Sequence, residues 1–270
     1  MSDRDYVLGT HDVELERLGL QHAVWRPRAL AAWRRAGFTR GQRILDLGCG
    51  PGYASLDLAD VVGREGSVAA VDGSRRFLSA LSHAAMQRGI DWIETAEVDL
   101  DHAPVPFDRL DGAWARWIFA FVRDPERLVG AVARSVRSGG RFVLHEYFDW
   151  ERWSFLPSIP EHALFVDATV RSWRDSGGEP NVGRDLPAWL VAAGFEVESV
   201  RPIVDVVPPT DFVWQWPRRF LETHTHRLVE IGYLDDAQAA AIRDAVAAAE
   251  KRPGTYMVTP AVLEIIAVRR

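Results

Sequence analysis

Apolar residues in the first half of the chain fall into short runs: Ile44 to Leu47, Ser67 to Asp72, a stretch near Ile90 to Thr95, Leu110 to Arg116 and Arg141 to Glu146. The intervening segments have helical character, from Tyr53 to Val62, from an N-cap at Ser74 to Arg88, and from Asp124 to Ser135. Buried strands alternating with helices at this rhythm predict an α/β fold built on a doubly wound, parallel sheet. Two later apolar runs, Val197 to Val206 and Ala261 to Val268, extend the expectation to seven strands, the last two forming an antiparallel hairpin. Two amphipathic segments, Leu156 to Trp173 and the alanine-rich Asp235 to Glu250, read as helices outside the sheet.

Chemistry enters where the first strand stops. Residues 46 to 52 are Asp-Leu-Gly-Cys-Gly-Pro-Gly, and helical sequence follows at once. A strand that turns through glycines into a helix gathers backbone N–H groups and a helix N-terminus at one point. Glycine also lets a ligand approach the main chain with no Cβ in the way. A dinucleotide fingerprint would need its third glycine at Tyr53, and a phosphate loop would need a Gly-Lys-Ser/Thr ending, whereas Lys251 is the only lysine. The alternative for such a run is a plain glycine turn. Its D-x-G-x-G-x-G form, headed by Asp46, resembles the first motif of the class I S-adenosylmethionine-dependent methyltransferases.

The segments that follow extend the resemblance. Ser67 to Asp72 ends in an acid placed to hold a ribose diol, and Gly73 turns the chain. Val98-Asp99-Leu100 resembles the acid–apolar pair that meets the adenine in this family, and the strand ending at Ala115-Arg116 would face the methionine part. Gly48, Asp72, Asp99 and Arg116 all fall at carboxyl ends of strands, where open α/β sheets bind ligands. Tyr6 to Gly9, Glu14 to Gln21 and Gly183 to Phe195 resemble small-molecule methyltransferases related to the ubiquinone and menaquinone biosynthesis enzymes. The one departure, Ser138 in place of the usual proline before Gly139-Gly140, concerns turn stiffness only. The resemblance implies S-adenosyl-L-methionine as cofactor, with Tyr6, Gln21, Asp46, Gly48, Cys49, Gly50, Gly52, Asp72, Gly73, Asp99, Leu100, Ala115 and Arg116 around it. It also implies a division into an N-terminal helical cover (1–40), a cofactor-binding core (41–150), a helical lid (151–185) and the rest of the sheet (186–270) with a helical insertion at about 208–251.

Composition narrows the partners. The formal charge of −6 over 270 residues gives no overall field for nucleic acid. No apolar stretch approaches the ~18 residues that span a bilayer, and the charged N-terminus lacks a secretory h-region. A soluble cytoplasmic protein acting on a small molecule is expected, with oligomeric state left open and a homodimer one option. Arginine supplies all but one of the 32 basic residues, which points to a GC-rich, bacterial genome. Cys49, the single cysteine, reads as a small apolar side chain under the loop rather than a nucleophile. His224 and His226, two apart on a helix, point in different directions, so no metal is expected.

The second half bears on the acceptor. Aromatic clusters at Tyr147 to Trp153 and Phe212 to Trp216 suit a flat, apolar molecule, and eleven tryptophans are many for one chain. Tyr147, Trp150, Trp214, Trp216 and Arg219 are the candidate pocket residues, with Arg218 and Arg227 as further cations; packing and a solvated helix face are the alternatives. Glu146 and His145 are the candidate bases, and strand alternation puts them on opposite faces. The reading is methyl transfer to a small aromatic or isoprenoid-like metabolite at O, N or C, in secondary metabolism. Two rivals stand beside it: a non-methylating use of the same cofactor, and a nicotinamide-dependent oxidoreductase.

Overall fold

The near-continuous apolar runs of the first strands mean that both faces of the sheet must be covered. The computed structural model, which describes residues 12–270, shows how. After α1 (Asp12–Arg35), the chain alternates β1 (Arg43–Leu47), α2 (Tyr53–Val62), β2 (Ser67–Asp72), α3 (Arg75–Gln87), β3 (Ile93–Glu97), β4 (Leu110–Arg116), α4 (Pro125–Ser135) and β5 (Val136–Asp149). Then come β6 (Ser154–Leu156), α5 (Pro160–Asp175), α6 (Leu186–Ala192), β7 (Phe195–Ile203), β8 (Val206–Val207), α7 (Gln215–Glu230), α8 (Asp236–Glu250), β9 (Tyr256–Val258) and β10 (Ala261–Arg269).

Seven strands form one sheet in the order β3-β2-β1-β4-β5-β10-β7. β10 runs antiparallel to both neighbours, β5 and β7, and the remaining pairings are parallel. Alternation divides the strand side chains between two apolar layers. Ile44, Val68, Trp114, Val143 and Ile266 pack on one face with Trp33 of α1 and the inner sides of α2 and α3. Leu45, Val71, Ala113, Phe142 and Ile265 pack on the other with α4, α5 and α7.

The observed ends differ from the expected ones for local reasons. Ile90 stays with the C-terminal turn of α3, its N–H on the Ala85 carbonyl, so β3 starts later than expected. β5 is much longer than Arg141 to Glu146, because the Ser138–Gly140 turn is absorbed into it with a register irregularity against β4. The strand expected to reach Val206 stops at Ile203, and Val206–Val207 joins a separate three-stranded sheet, β6-β9-β8, which the apolar pattern does not announce. Ser74 caps α3 as expected, accepting from Phe77 N–H, and a full capping box at Asp235 and Gln238 starts α8. Among the described residues no helix is long and apolar enough to cross a membrane.

Long-range charges tie α1 to this frame. Arg35 pairs with Glu264 of β10 at 2.5 Å, and Glu264 also accepts from His145 of β5 at 3.3 Å. His145 lies wholly buried against the rings of Trp25 and Trp114. Burial favours the neutral imidazole and lowers its pKa, which suits donation of one ring N–H to a carboxylate. Replacing that carboxylate leaves the cation and the imidazole short of their partner. Glu264→Gln is expected to destabilise the fold by on the order of 1–3 kcal/mol, measured by urea denaturation.

Candidate active site

The loop after β1 is shaped by its glycines. Gly50 and Gly52 both take positive φ, 54° and 83°, a region that L side chains rarely enter. Their surroundings differ. A Cβ on Gly50 would meet nothing within 4 Å, so this part of the loop faces open space, while one on Gly52 would come within 2.3 Å of Leu81. Cys49 N–H continues the ladder to the Val71 carbonyl, holding the loop against the end of β2. The Asp72 carboxylate then joins the two loops, accepting from Gly50 N–H and from Ser74 N–H, each at 2.8 Å. Burial raises the pKa of Asp72, and these amides restrain the rise. Two amides leave further lone pairs of the carboxylate available for hydroxyls.

The space in front of this loop is a cavity of about 1640 Å³ along the carboxyl edge of the sheet. Asp46, Gly48, Cys49, Gly50, Asp72 and Gly73 line one end, with Asp99 and Leu100 beside them. Asp46 is buried, accepts from Ser55 Oγ at 2.5 Å, and is pushed up to about 6 by burial. Asp99 is at the rim, where His102 Nδ1 and Asp101 N–H reach its oxygens, and Leu100 lies buried below. Burial beside Asp46 and Asp72 pushes the Cys49 thiol well above its ordinary range, as for an unreactive side chain. Gln21 reaches the wall from α1, with Arg17 and Leu18. Arg116 reaches it from β4.

Part of the lining is aromatic. Trp117, Phe121, Tyr147, Trp173 and Phe220 contribute to it, with Ile118 packed beside Gly48. Trp117 has a positive φ of 53°, a strained conformation for a tryptophan, and it turns the chain away from the sheet directly after Arg116. Its ring lies flat between Tyr147 and Trp216, at 5.2 and 5.4 Å, each pair within 9° of parallel. The wall is therefore a stack of fixed rings suited to a flat, apolar group.

The structure separates several expected residues from this cavity. Glu146 is fully buried behind the wall and accepts from Phe119 N–H and Tyr147 N–H, both at 2.9 Å. Burial pushes it up to about 8 in spite of those amides. It braces the turn that carries Trp117 to Phe121 and does not reach the cavity. His145 faces Glu264 inside the core, so neither expected base is on the wall. Trp150, Trp214 and Trp216 are buried in the packing behind it. Arg219 lines a separate groove of about 650 Å³ and pairs with Glu222 at 3.1 Å. Gly52 and Ala115 lie behind the lining residues, and Tyr6 lies outside the described residues. His224 is buried against Phe220 and Trp173, and burial lowers it to about 3.

Sequence reading missed Trp117, Phe121, Trp173, Phe220 and Arg17. Trp117 was within reach, since it follows a strand end already singled out. Trp173 and Phe220 come from α5 and α7, helices that no spacing along the chain links to β4.

Comparison with known proteins agrees with this geometry. A family profile described as a methyltransferase domain matches residues 45–144. The 2-phytyl-1,4-naphtoquinone methyltransferase of Synechococcus elongatus is 33% identical over 198 residues, covering 65% of this chain and 78% of that protein. An uncharacterised 37.1 kDa protein in transposon TN4556 of Streptomyces fradiae is 28% identical over 195 residues, 72% of this chain. The match spans only about half of that protein's own length, 54%. Among solved structures, a putative methyltransferase from Bacillus halodurans superposes with a TM-score of 0.59 at 16% identity, over 89% of this chain and 98% of that one.

Two substitutions in the loop separate fold from ligand. Gly52→Ala should cost about 2 kcal/mol or more in urea denaturation, since strain adds to the overlap with Leu81. Gly50→Ala should cost about 1 kcal/mol of backbone strain but intrude on the cavity, so that ligand titration registers the larger loss. For Glu146, a folded pKa above the unfolded one means stability present below about 4.5 and lost as pH rises through about 8. The stability gap between the native chain and Glu146→Gln should narrow from pH 5 to pH 8; a widening gap rejects the bracing role.

Proposed function

The chain belongs to the class I S-adenosylmethionine-dependent methyltransferases, and we propose that it methylates a small, flat, largely apolar metabolite. One observation carries the acceptor class: the cavity that begins at the glycine loop and its carboxylates continues without a break to the aromatic wall of Trp117, Phe121, Tyr147, Trp173 and Phe220. The loop end fits the cofactor on its own terms. Gly50 offers an open approach to the main chain, Asp72 has acceptor capacity left for the ribose hydroxyls, and Asp99 with Leu100 forms a polar and an apolar contact for adenine. When bound, the cofactor supplies a methyl group already activated on a sulfonium.

What remains for the protein is alignment and exclusion of water. The stack of Trp117 with Tyr147 and Trp216 gives the acceptor a rigid apolar wall to pack against, and aromatic rings also suit a nearby sulfonium by cation–π attraction. Helix α1 closes one side of the cavity with Arg17, Leu18 and Gln21. Neither His145 nor Glu146 stands where it could take a proton from an acceptor, so the acceptor must be nucleophilic without them. The naphthoquinone named for the Synechococcus relative is an acceptor of this flat, apolar kind. A ring-stacked pocket fits an aromatic or isoprenoid-like compound of specialised metabolism, methylated at O, N or C.

The test is mass spectrometry of reactions that pair S-adenosylmethionine with a panel of aromatic and isoprenoid acceptors. The expected result is a product heavier by one methyl group, with one S-adenosylhomocysteine formed per product. Product formed without S-adenosylhomocysteine would instead mean a non-methylating reaction. Asp72→Ala should weaken S-adenosylhomocysteine binding by about tenfold or more, about 1.4 kcal/mol, while circular dichroism stays native.

A further inference from the structure

A ladder of three polar side chains runs along α1 at the cavity wall. Glu14, Arg17 and Gln21 are spaced three and four apart, so they share one face of the helix. Arg17 donates from Nε and Nη2 to the two oxygens of Glu14, at 2.7 and 2.6 Å, and from Nη1 to Gln21 Oε1 at 2.9 Å. The ion pair is withdrawn from water, with Arg17 3% and Glu14 6% exposed. Arg17 and Gln21 line the cavity, and Glu14 stays behind them.

Arg17 settles which way the Gln21 amide faces. A guanidinium can only donate, so the atom that meets it must be the amide oxygen, and the NH2 group faces away. None of the described residues accepts from that NH2 group. Two N–H donors are therefore held on the half-buried Gln21 at the cavity wall, oriented by a neighbour that Glu14 locks in turn.

The ladder is joined to the aromatic lining. The Arg17 guanidinium stands 5.7 Å over the ring of Phe220 of α7, and Phe220 packs edge-on against Trp173 of α5 at 6.2 Å. The family resemblance would put Gln21 beside the cofactor, whereas this link associates it with rings on the acceptor's wall. Charge limits what the amide can take. Glu14 already meets the Arg17 charge with both oxygens, so an anionic group brought here would lose its hydration for little return. An uncharged oxygen needs only the hydrogen bond.

We propose that the Gln21 amide donates to an uncharged, accepting oxygen of the acceptor, in the simplest case a ring carbonyl. Gln21 is then a specificity residue, and Arg17 and Glu14 are the positioning residues behind it. The inference rests on the acceptor reading above and adds the group by which the flat molecule is recognised.

Three bicyclic probes of similar shape test this: 1,4-naphthoquinone, which can only accept hydrogen bonds, naphthalene, which has no oxygen, and the anion 1-naphthoate. Their binding is measured by equilibrium dialysis with saturating S-adenosylhomocysteine, whose own affinity is titrated separately. The native chain should bind the quinone about tenfold or more tighter than naphthalene, with 1-naphthoate weaker than the quinone. Gln21→Leu should lose most of that preference and stay within about twofold for naphthalene and for S-adenosylhomocysteine. Gln21→Glu keeps the oxygen facing Arg17 and removes the donors, so it should lose the quinone preference as well; a purely structural bond to Arg17 would survive this change. Equal binding of quinone and naphthalene by the native chain, tightest binding of 1-naphthoate, or a loss confined to S-adenosylhomocysteine in the variants would overturn the proposal and leave the acceptor reading standing. Failure of the native chain to bind any of the three probes would overturn both.

Discussion

The site depends on one carboxylate spanning two loops. Asp72 ends β2 and accepts from Gly50 N–H of the β1 loop and Ser74 N–H at the head of α3. Both loops lie at strand ends; the ladder's last contact in the first is Cys49 N–H on the Val71 carbonyl, and Gly50 beyond it has no side-chain packing of its own. Without this bridge, the glycine loop would keep its freedom and a ligand would meet the entropic cost of ordering it. With it, the loop is ordered before any ligand arrives, at the expense of holding a carboxylate in surroundings that raise its pKa.

The same trade recurs around the cavity. Asp46 and Glu146 are buried and Arg116 is half-buried, and loss of solvent drives each toward its neutral form. Each stands behind or on the wall and holds something in place: Asp46 receives the Ser55 hydroxyl of α2, Arg116 meets His22 of α1, and Glu146 gathers the amides of the turn after β4. Buried polar groups of this kind lower stability unless satisfied, and in return they fix geometry that apolar packing alone leaves loose. The aromatic wall benefits most, since the strained backbone of Trp117 is held by its N–H on the His145 carbonyl, by the turn that Glu146 braces, and by the stacking of its ring with Tyr147 and Trp216.

How far the sequence carried depends on the range of the interaction. The glycine loop, the acid ending β2 and the Asp99-Leu100 pair are local signals, and all of them reach the cavity, because strand-end position alone decides where they stand. Glu146 and His145 were expected at a strand end, but β5 runs on to Asp149, and alternation leaves one facing the Trp25 and Trp114 rings and the other under the Phe119 turn. Which neighbour covers a strand end is a tertiary fact. The acceptor wall shows this most clearly: Trp150 shares an aromatic cluster with Tyr147, and Trp214 and Trp216 form the second, but of these four only Tyr147 reaches the open space. Trp173 and Phe220 are brought in by helices whose docking no local pattern encodes. The small β6-β9-β8 sheet escaped for the same reason, since strands of two or three residues have no periodicity to detect.

The place of β10 bears on how the molecule is made. It inserts between β5 and β7, yet it follows both by many residues in the chain. During vectorial synthesis the inner edges of those two strands must wait unpaired until residues 261–269 leave the ribosome, while β1 to β4 can already pair among themselves. The half of the sheet that carries the glycine loop can thus assemble early, and the half that backs the aromatic wall closes last. Any nascent chain stalled before that point presents two open strand edges to whatever chaperone or neighbouring polypeptide meets it first.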